Sequence, residues 1–164
     1  MAALLQKLSI FWLAAMTDAE FHGNIRRIWR GHWLHYPAQA LLTGGPILAI
    51  GSHSAGPASP NPRFATWPAL LLLAALLPLV SVAVYGINKR LKPNLRRPYE
   101  ANMRIYQGRI MLRNSLLGLL GIPLLASYLL THEAIDLVTY AAVLLLLAWQ
   151  TAPNAQKYQR WLLS

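Results

Sequence analysis

Read for apolar and polar positions, the chain separates into four long apolar stretches and two shorter ones in which apolar residues recur at helical spacing. The clearest, residues 67–88, holds no Asp, Glu, Lys or Arg. At 1.5 Å per residue it is long enough to cross a hydrocarbon core of about 30 Å. Residues 114–131 and 137–152 are separated only by "HEAID", which predicts an antiparallel helical hairpin with Asp136 as N-cap of its second helix. Residues 37–53 are short and interrupted by Gly44, Gly45 and Pro46, so a re-entrant loop competes with a span there.

Charge decides between those two readings. If all four stretches span, fourteen of the fifteen Lys and Arg fall on one side, eight of them between residues 88 and 113, and only Arg63 lies opposite. A re-entrant first segment would put that eight-charge segment across the membrane from the basic N-terminal region, against the positive-inside bias. The expected fold class is therefore an all-α integral membrane protein with four transmembrane helices in two hairpins. Its spans are 37–53, 67–88, 114–131 and 137–152, with an N-terminal region 1–36, a basic cytoplasmic loop 89–113 and a cytoplasmic tail 153–164.

The two amphipathic stretches sit in the basic parts of this map. "TDAE" at Thr17 to Glu20 has capping-box spacing and opens a helix with Phe21, Ile25, Ile28, His32 and Tyr36 on one face. After Pro98, residues Tyr99, Met103, Tyr106 and Ile110 form a similar stripe, while Glu100, Arg104, Gln107 and Arg109 face elsewhere. Both read as interfacial helices lying on the membrane. Arg26, Arg27, Arg30, Arg96, Arg97, Arg104 and Arg109 would then meet anionic lipid headgroups, at roughly 1 kcal/mol each, or a membrane partner. Residues 1–16, with Lys7 in their middle, read as a further interfacial helix, with a fifth span or a cleaved signal as alternatives. The six tryptophans all fall near expected membrane boundaries.

Composition agrees with this location. Only 12% of the 164 residues are charged, against about 25% in a soluble domain. In a soluble protein a net charge of +10 would suggest nucleic acid as partner. Here the positions of the charges point to lipid instead, and no nucleic-acid partner is expected. There is no cysteine, which excludes a disulfide framework, a zinc-thiolate site and a thiol nucleophile.

An internal similarity runs at an offset of 77 residues: "RIWRG" from Arg27 against "RIYQG" from Arg104, and "GGPILA" from Gly44 against "GIPLLA" from Gly121. A duplication would make the two hairpins parallel copies, each with a basic helix, a Gly elbow and a Gly-x-Pro break. Chance in Leu- and Ala-rich sequence is the competing account. Gly44, Gly45, Pro46, Gly121 and Pro123 are the expected close-packing positions.

Chemistry is sparse. The expected spans contain no Asp, Glu, Lys or Arg, the residues that usually mark ion pathways and proton relays. The five acids form no carboxylate pair, and neither a phosphate loop nor a serine elbow is present. His53 and His132, at the outer ends of spans, could in principle hold a haem or metal, and His32 and His35 could contact a quinone or headgroup. Ordinary interfacial histidines are the plainer account of all four, and no motif calls for a cofactor. The pattern leads to a noncatalytic small subunit or assembly factor of a larger membrane complex in a bacterial inner membrane, with other membrane subunits and anionic lipids as partners. A homo-oligomeric channel or carrier is the alternative, followed by a membrane-shaping hairpin protein.

Overall fold

Helix lengths set the architecture. In a computed structural model, residues 18–53 and 62–163 are described, with side chains at 19–50 and 67–163. All elements there are helical: α1 (Asp18–His53), α2 (Pro62–Arg90), α3 (Tyr99–Gly118), a 3-10 turn (Leu119–Gly121), α4 (Ile122–Thr131), α5 (Ala134–Thr151) and α6 (Ala155–Leu162). The 36 residues of α1 measure about 54 Å and the continuous Tyr99–Thr131 unit about 50 Å at 1.5 Å per residue. Each exceeds a hydrocarbon core of about 30 Å by some 20 Å.

That excess corrects the expectation of two helices lying on the membrane. The basic amphipathic stretches are the first halves of the two longest helical units, with no elbow at Gly31 or Gly108, and they stand as a stalk on the bundle. Their apolar stripes are those expected from sequence. Phe21, Ile25 and Ile28 of α1, with Met103, Tyr106 and Ile110 of α3, are buried against Tyr158 and Trp161 of α6, and Tyr99 packs alongside. The stripes thus face protein instead of headgroups. Asn154 caps α6 by accepting from the Lys157 amide at 2.7 Å, and the Trp161 indole donates to the Leu91 carbonyl at 3.3 Å, closing the stalk.

Among the described residues, three helical stretches are long and apolar enough to cross a membrane: Trp67–Arg90, Tyr99–Thr131 and Ala134–Thr151. The stretch 37–53 is not among them, because Gln39, Thr43, Gly44, Gly45 and Pro46 dilute it. It is nevertheless unbroken helix, not a re-entrant loop. Of the two expected Gly-x-Pro breaks only the second forms. Pro123 cannot donate to the Leu119 carbonyl, and the Ile122 amide takes that acceptor in a 3-10 turn. Pro123 is buried, whereas Pro37, Pro46 and Pro78 are exposed and their helices continue through them. At the 132–133 corner, His132 adopts a left-handed conformation (φ 54°). Glu133, not Asp136, is the N-cap of α5; Asp136 lies in the first turn and accepts from the Thr131 hydroxyl at 3.0 Å.

The hairpins are unequal. α4 and α5 pack as a hairpin, but α1 and α2 do not pack along their lengths; α2 lies instead on α3 and α4, with α1 and α5 on another side of that unit. α1 and α3 run parallel, since Phe21 meets Tyr99 and His35 meets Ser115. The similar motifs therefore lie side by side: Arg27 and Arg104 line one cleft, and Gly44 and Gly121 flank one ring, that of Tyr140.

Two outcomes follow from this packing. A Cβ at Gly121 would stand 2.5 Å from the Tyr140 ring, whereas one at Gly44 would meet it at an ordinary 3.6 Å. Gly121→Ala should destabilise the detergent-solubilised protein by about 1 to 3 kcal/mol. Gly44→Ala should be neutral or stabilising by up to about 1 kcal/mol, as read from denaturant unfolding. In the stalk, the Tyr158 hydroxyl is buried without a partner, and burial first, then the neighbouring Tyr99 and Tyr106, holds this phenol well above the usual tyrosine value. Above about pH 10 the unfolded chain gives up this proton while the folded chain keeps it, so stability should fall as pH rises. Tyr158→Phe should flatten that alkaline loss without lowering stability at pH 7, measurable by thermal unfolding at pH 7 to 11.

Candidate functional site

The most developed side-chain arrangement among the described residues lies where the stalk meets the apolar bundle. His32 reaches this level because it continues the stripe of Phe21, Ile25 and Ile28 by one turn, and Asn114 because it continues that of Tyr106 and Ile110. Both are fully buried. The His32 Nε2–H donates to the Ala148 carbonyl at 2.8 Å, and its Nδ1 accepts from the Asn114 amide nitrogen at 2.8 Å. Since a carbonyl only accepts and an NH2 group only donates, the imidazole is neutral with its proton on Nε2. Three helices, α1, α3 and α5, are joined by one side chain.

Further bonds extend this seam in both directions. The Tyr36 hydroxyl donates to Thr151 Oγ1 at 2.9 Å, while Thr151 donates to the Leu147 carbonyl one turn back. The Gln39 amide donates to the Ser115 carbonyl at 2.9 Å, and His35 Nε2 lies 3.2 Å from the Ser115 hydroxyl. Deeper in the bundle, the Tyr140 hydroxyl donates to Thr43 Oγ1 at 2.6 Å. Each is a polar group on an otherwise apolar helix, and each finds a partner on another helix, as a lipid surrounding demands. Asn114 Oδ1 and Gln39 Oε1 are buried here without a partner.

This arrangement sorts the residues singled out from sequence. Both ring nitrogens of His32 are engaged by protein, which makes the residue a joint between three helices. His35 is half-buried on Ser115. His132 caps α4 beside the Tyr128 ring, and the side chain of His53 lies outside the described residues. No group of three metal-ligating side chains occurs among the described residues. Gly44, Gly121 and Pro123 are buried in close packing, but against Tyr140 of the same chain in the case of the glycines; Gly45 has open space beside it and Pro46 is exposed.

Of the seven arginines expected to meet lipid or a partner, Arg26, Arg27, Arg30, Arg96, Arg97 and Arg104 are exposed on the stalk and its connecting turn. Arg109 is half-buried, donates to Asn88 Oδ1 at 3.0 Å and lies 5.9 Å from the Trp161 ring centre. It shares a cavity with Arg113, Lys157 and Arg160, three cations that sequence reasoning did not single out. Helical spacing would have put Arg109 and Arg113 on one face, and Lys157 and Arg160 on another. That the two faces meet depends on α6 folding back after the break at Pro153 and Asn154, which marks the turn but not its direction.

The seam yields a measurable coupling. His32→Phe should cost about 1 to 3 kcal/mol of unfolding free energy, because it strands the Asn114 amide and removes the donor to Ala148. Asn114→Leu should cost less in the His32→Phe background than in the parent chain, by about 0.6 to 1.7 kcal/mol. Strictly additive costs would show that the bond contributes nothing. Comparison with protein-family models, with curated proteins and with solved structures returns no match, so the function is argued from this geometry alone.

Proposed function

We propose that the chain is a noncatalytic small polytopic subunit, or an assembly and stabilising factor, of a larger membrane protein complex. In this reading α1 is the fourth span, the stalk and both termini lie in the cytoplasm, and the membrane is a bacterial inner membrane. The exposure of α2 carries the proposal. Among residues 67–90 only Val80 is buried, although this is the most apolar of the three stretches long enough to span. Trp67, Leu70, Leu71, Leu77, Leu79, Val82 and Tyr85 are exposed over about 200° of its circumference, taking 100° per residue. A helix held along a single edge has its remaining faces available for helices of other subunits, where association rests on close packing.

Two further observations support a subunit without chemistry of its own. Glu20, Glu100 and Glu133 are exposed, and Asp136 is engaged with Thr131, so these carboxylates are spread over the surface and do not converge. The glycines that could have lined a path are closed on Tyr140, which weighs against conduction through the single chain. The orientation rests on charge: the starts of α1 and α3 and the ends of α2 and α5 share one end of the bundle, and that end carries the basic residues of the described chain except Arg63.

Two measurements test this reading. In the cysteine-free chain, a cysteine placed at Asn94 should react with an impermeant maleimide only from the cytoplasmic side, and one at Glu133 only from the opposite side. Gentle extraction of the tagged chain from its native host should recover different subunits in fixed ratio. The triple change Leu71→Ala, Leu79→Ala and Val82→Ala should reduce that recovery several-fold while shifting stability by only about 0.5 kcal/mol per site. Recovery of the chain alone as an ion-conducting homo-oligomer would replace the proposal with a channel.

A further inference from the structure

The cavity between α3, α6 and the end of α5 has a volume of about 260 Å³ and is half open. Four cations line it, Arg109 and Arg113 from α3 with Lys157 and Arg160 from α6, and no carboxylate does. Tyr106, Ile110 and Trp161 supply its apolar part. Two of the cations hold the C-terminus of α5. Lys157 Nζ donates to the Gln150 and Ala152 carbonyls at 3.1 and 2.7 Å, and Arg113 Nη2 donates to the Thr151 carbonyl at 3.1 Å. A helix C-terminus carries only about half a negative charge, so a surplus of roughly three and a half positive charges remains. Arg113 Nε is buried without a partner, and Arg160 is exposed beside the cavity mouth.

This crowding is unfavourable without an anion. Burial, and next the Arg113 guanidinium, push the Lys157 ammonium below the usual lysine value. The depth of the cavity indicates the source of the anion. Thr151 ends an apolar helix long enough to span, and Trp149 on its last turn is exposed, as at a boundary between hydrocarbon and headgroups. A soluble anion would have to be drawn to a place where lipid phosphates are already concentrated. A headgroup with one negative charge would leave about two and a half positive charges unmatched, whereas one with two leaves about one and a half. Tyr106 and Trp161 close the cavity on the stalk side, away from the apolar bundle.

We infer that this cavity binds the phosphate headgroup of a dianionic phospholipid, with Arg109, Arg113 and Arg160 around the phosphate oxygens and Lys157 completing the charge. The inference rests on the reading that α5 crosses the bilayer with Thr151 at its basic face. It does not depend on the chain being a subunit of a complex. Guanidinium groups match phosphate by paired donors, which distinguishes this cavity from the scattered arginines of the stalk.

The test uses the full chain in detergent micelles, titrated with phosphatidic acid, with diphosphatidylglycerol, with phosphatidylglycerol and with inorganic phosphate, and read by native mass spectrometry. One dianionic lipid should bind per chain with an affinity at least tenfold above that of phosphatidylglycerol. Arg109→Gln with Arg160→Gln should weaken it about thirtyfold, taking about fivefold for each headgroup-level cation. Arg26→Gln with Arg30→Gln, the same change in net charge outside the cavity, should weaken it less than threefold. Arg160→Gln alone alters an exposed side chain and keeps the test valid should the double variant not fold; about fivefold weakening is expected. Equal losses in the two double variants would overturn the site in favour of diffuse attraction. Displacement of lipid by inorganic phosphate at equal concentration would overturn the lipid assignment. Cysteines at Glu133 and Gln156 labelled from opposite sides would establish the crossing of α5 independently, so a failed crossing and a failed site are separable.

Discussion

The Ala148 carbonyl lies within one turn of the end of α5, and the hydrogen bond it accepts from His32 fixes how deep α1 sits against that helix. Because Asn114 donates to the opposite edge of the same ring, the depth of α3 is fixed by the same side chain. Without such a joint, helices of about 50 Å could slide along one another through a 30 Å layer at little cost, since their lipid-facing residues are nearly interchangeable. A buried imidazole permits little slippage. A displacement of one turn would leave His32, Asn114 and a helix-terminal carbonyl to be satisfied elsewhere in an apolar surrounding.

Above and below that level the chain uses two different kinds of cohesion. With the stalk outside the bilayer, as proposed, the aromatic cluster of Phe21, Tyr106, Tyr158 and Trp161 removes apolar surface from water and is held by the hydrophobic effect. In the bundle, that driving force is absent, and close approach takes its place, with the Tyr140 ring fitted between Gly44 and Gly121. One sequence unit serves both. The matched Arg–Ile–aromatic motifs belong to the stalk and the matched Gly-x-Pro motifs to the bundle, and parallel packing of α1 on α3 brings both pairs into register.

Period and composition carried the positions of the helices and the identity of their inward faces. Phe21, Ile25, Ile28, His32 and Tyr36 are all buried, and the alternation of charge around them was sufficient to show it. What lies opposite those faces was not legible. An apolar stripe has the same spacing whether it meets lipid or another helix, so the stalk was read as two helices on a membrane surface. The four-cation cavity was equally hidden, since Lys157 and Arg160 are 44 or more residues from Arg113 and come beside it only because the aromatic side of α6 folds onto α3. The Asp136 cap is displaced for a local reason: the Thr131 hydroxyl engages its carboxylate and the helix begins three residues earlier than expected, at Ala134.

The separation of α1 from α2 has a consequence for synthesis. When α2 leaves the ribosome it has no adjacent hairpin partner, and its packing surface on α3 and α4 is not yet made. About 30 to 40 further residues must be added, which takes a few seconds at 5 to 20 residues per second. On the proposed reading α2 is during that interval an apolar helix without its later packing on α3 and α4, oriented by Lys89, Arg90 and Lys92 behind it. The bundle is therefore assembled from its C-terminal side: α3 is the first helix to pack on both earlier ones, and α4 and α5 complete it.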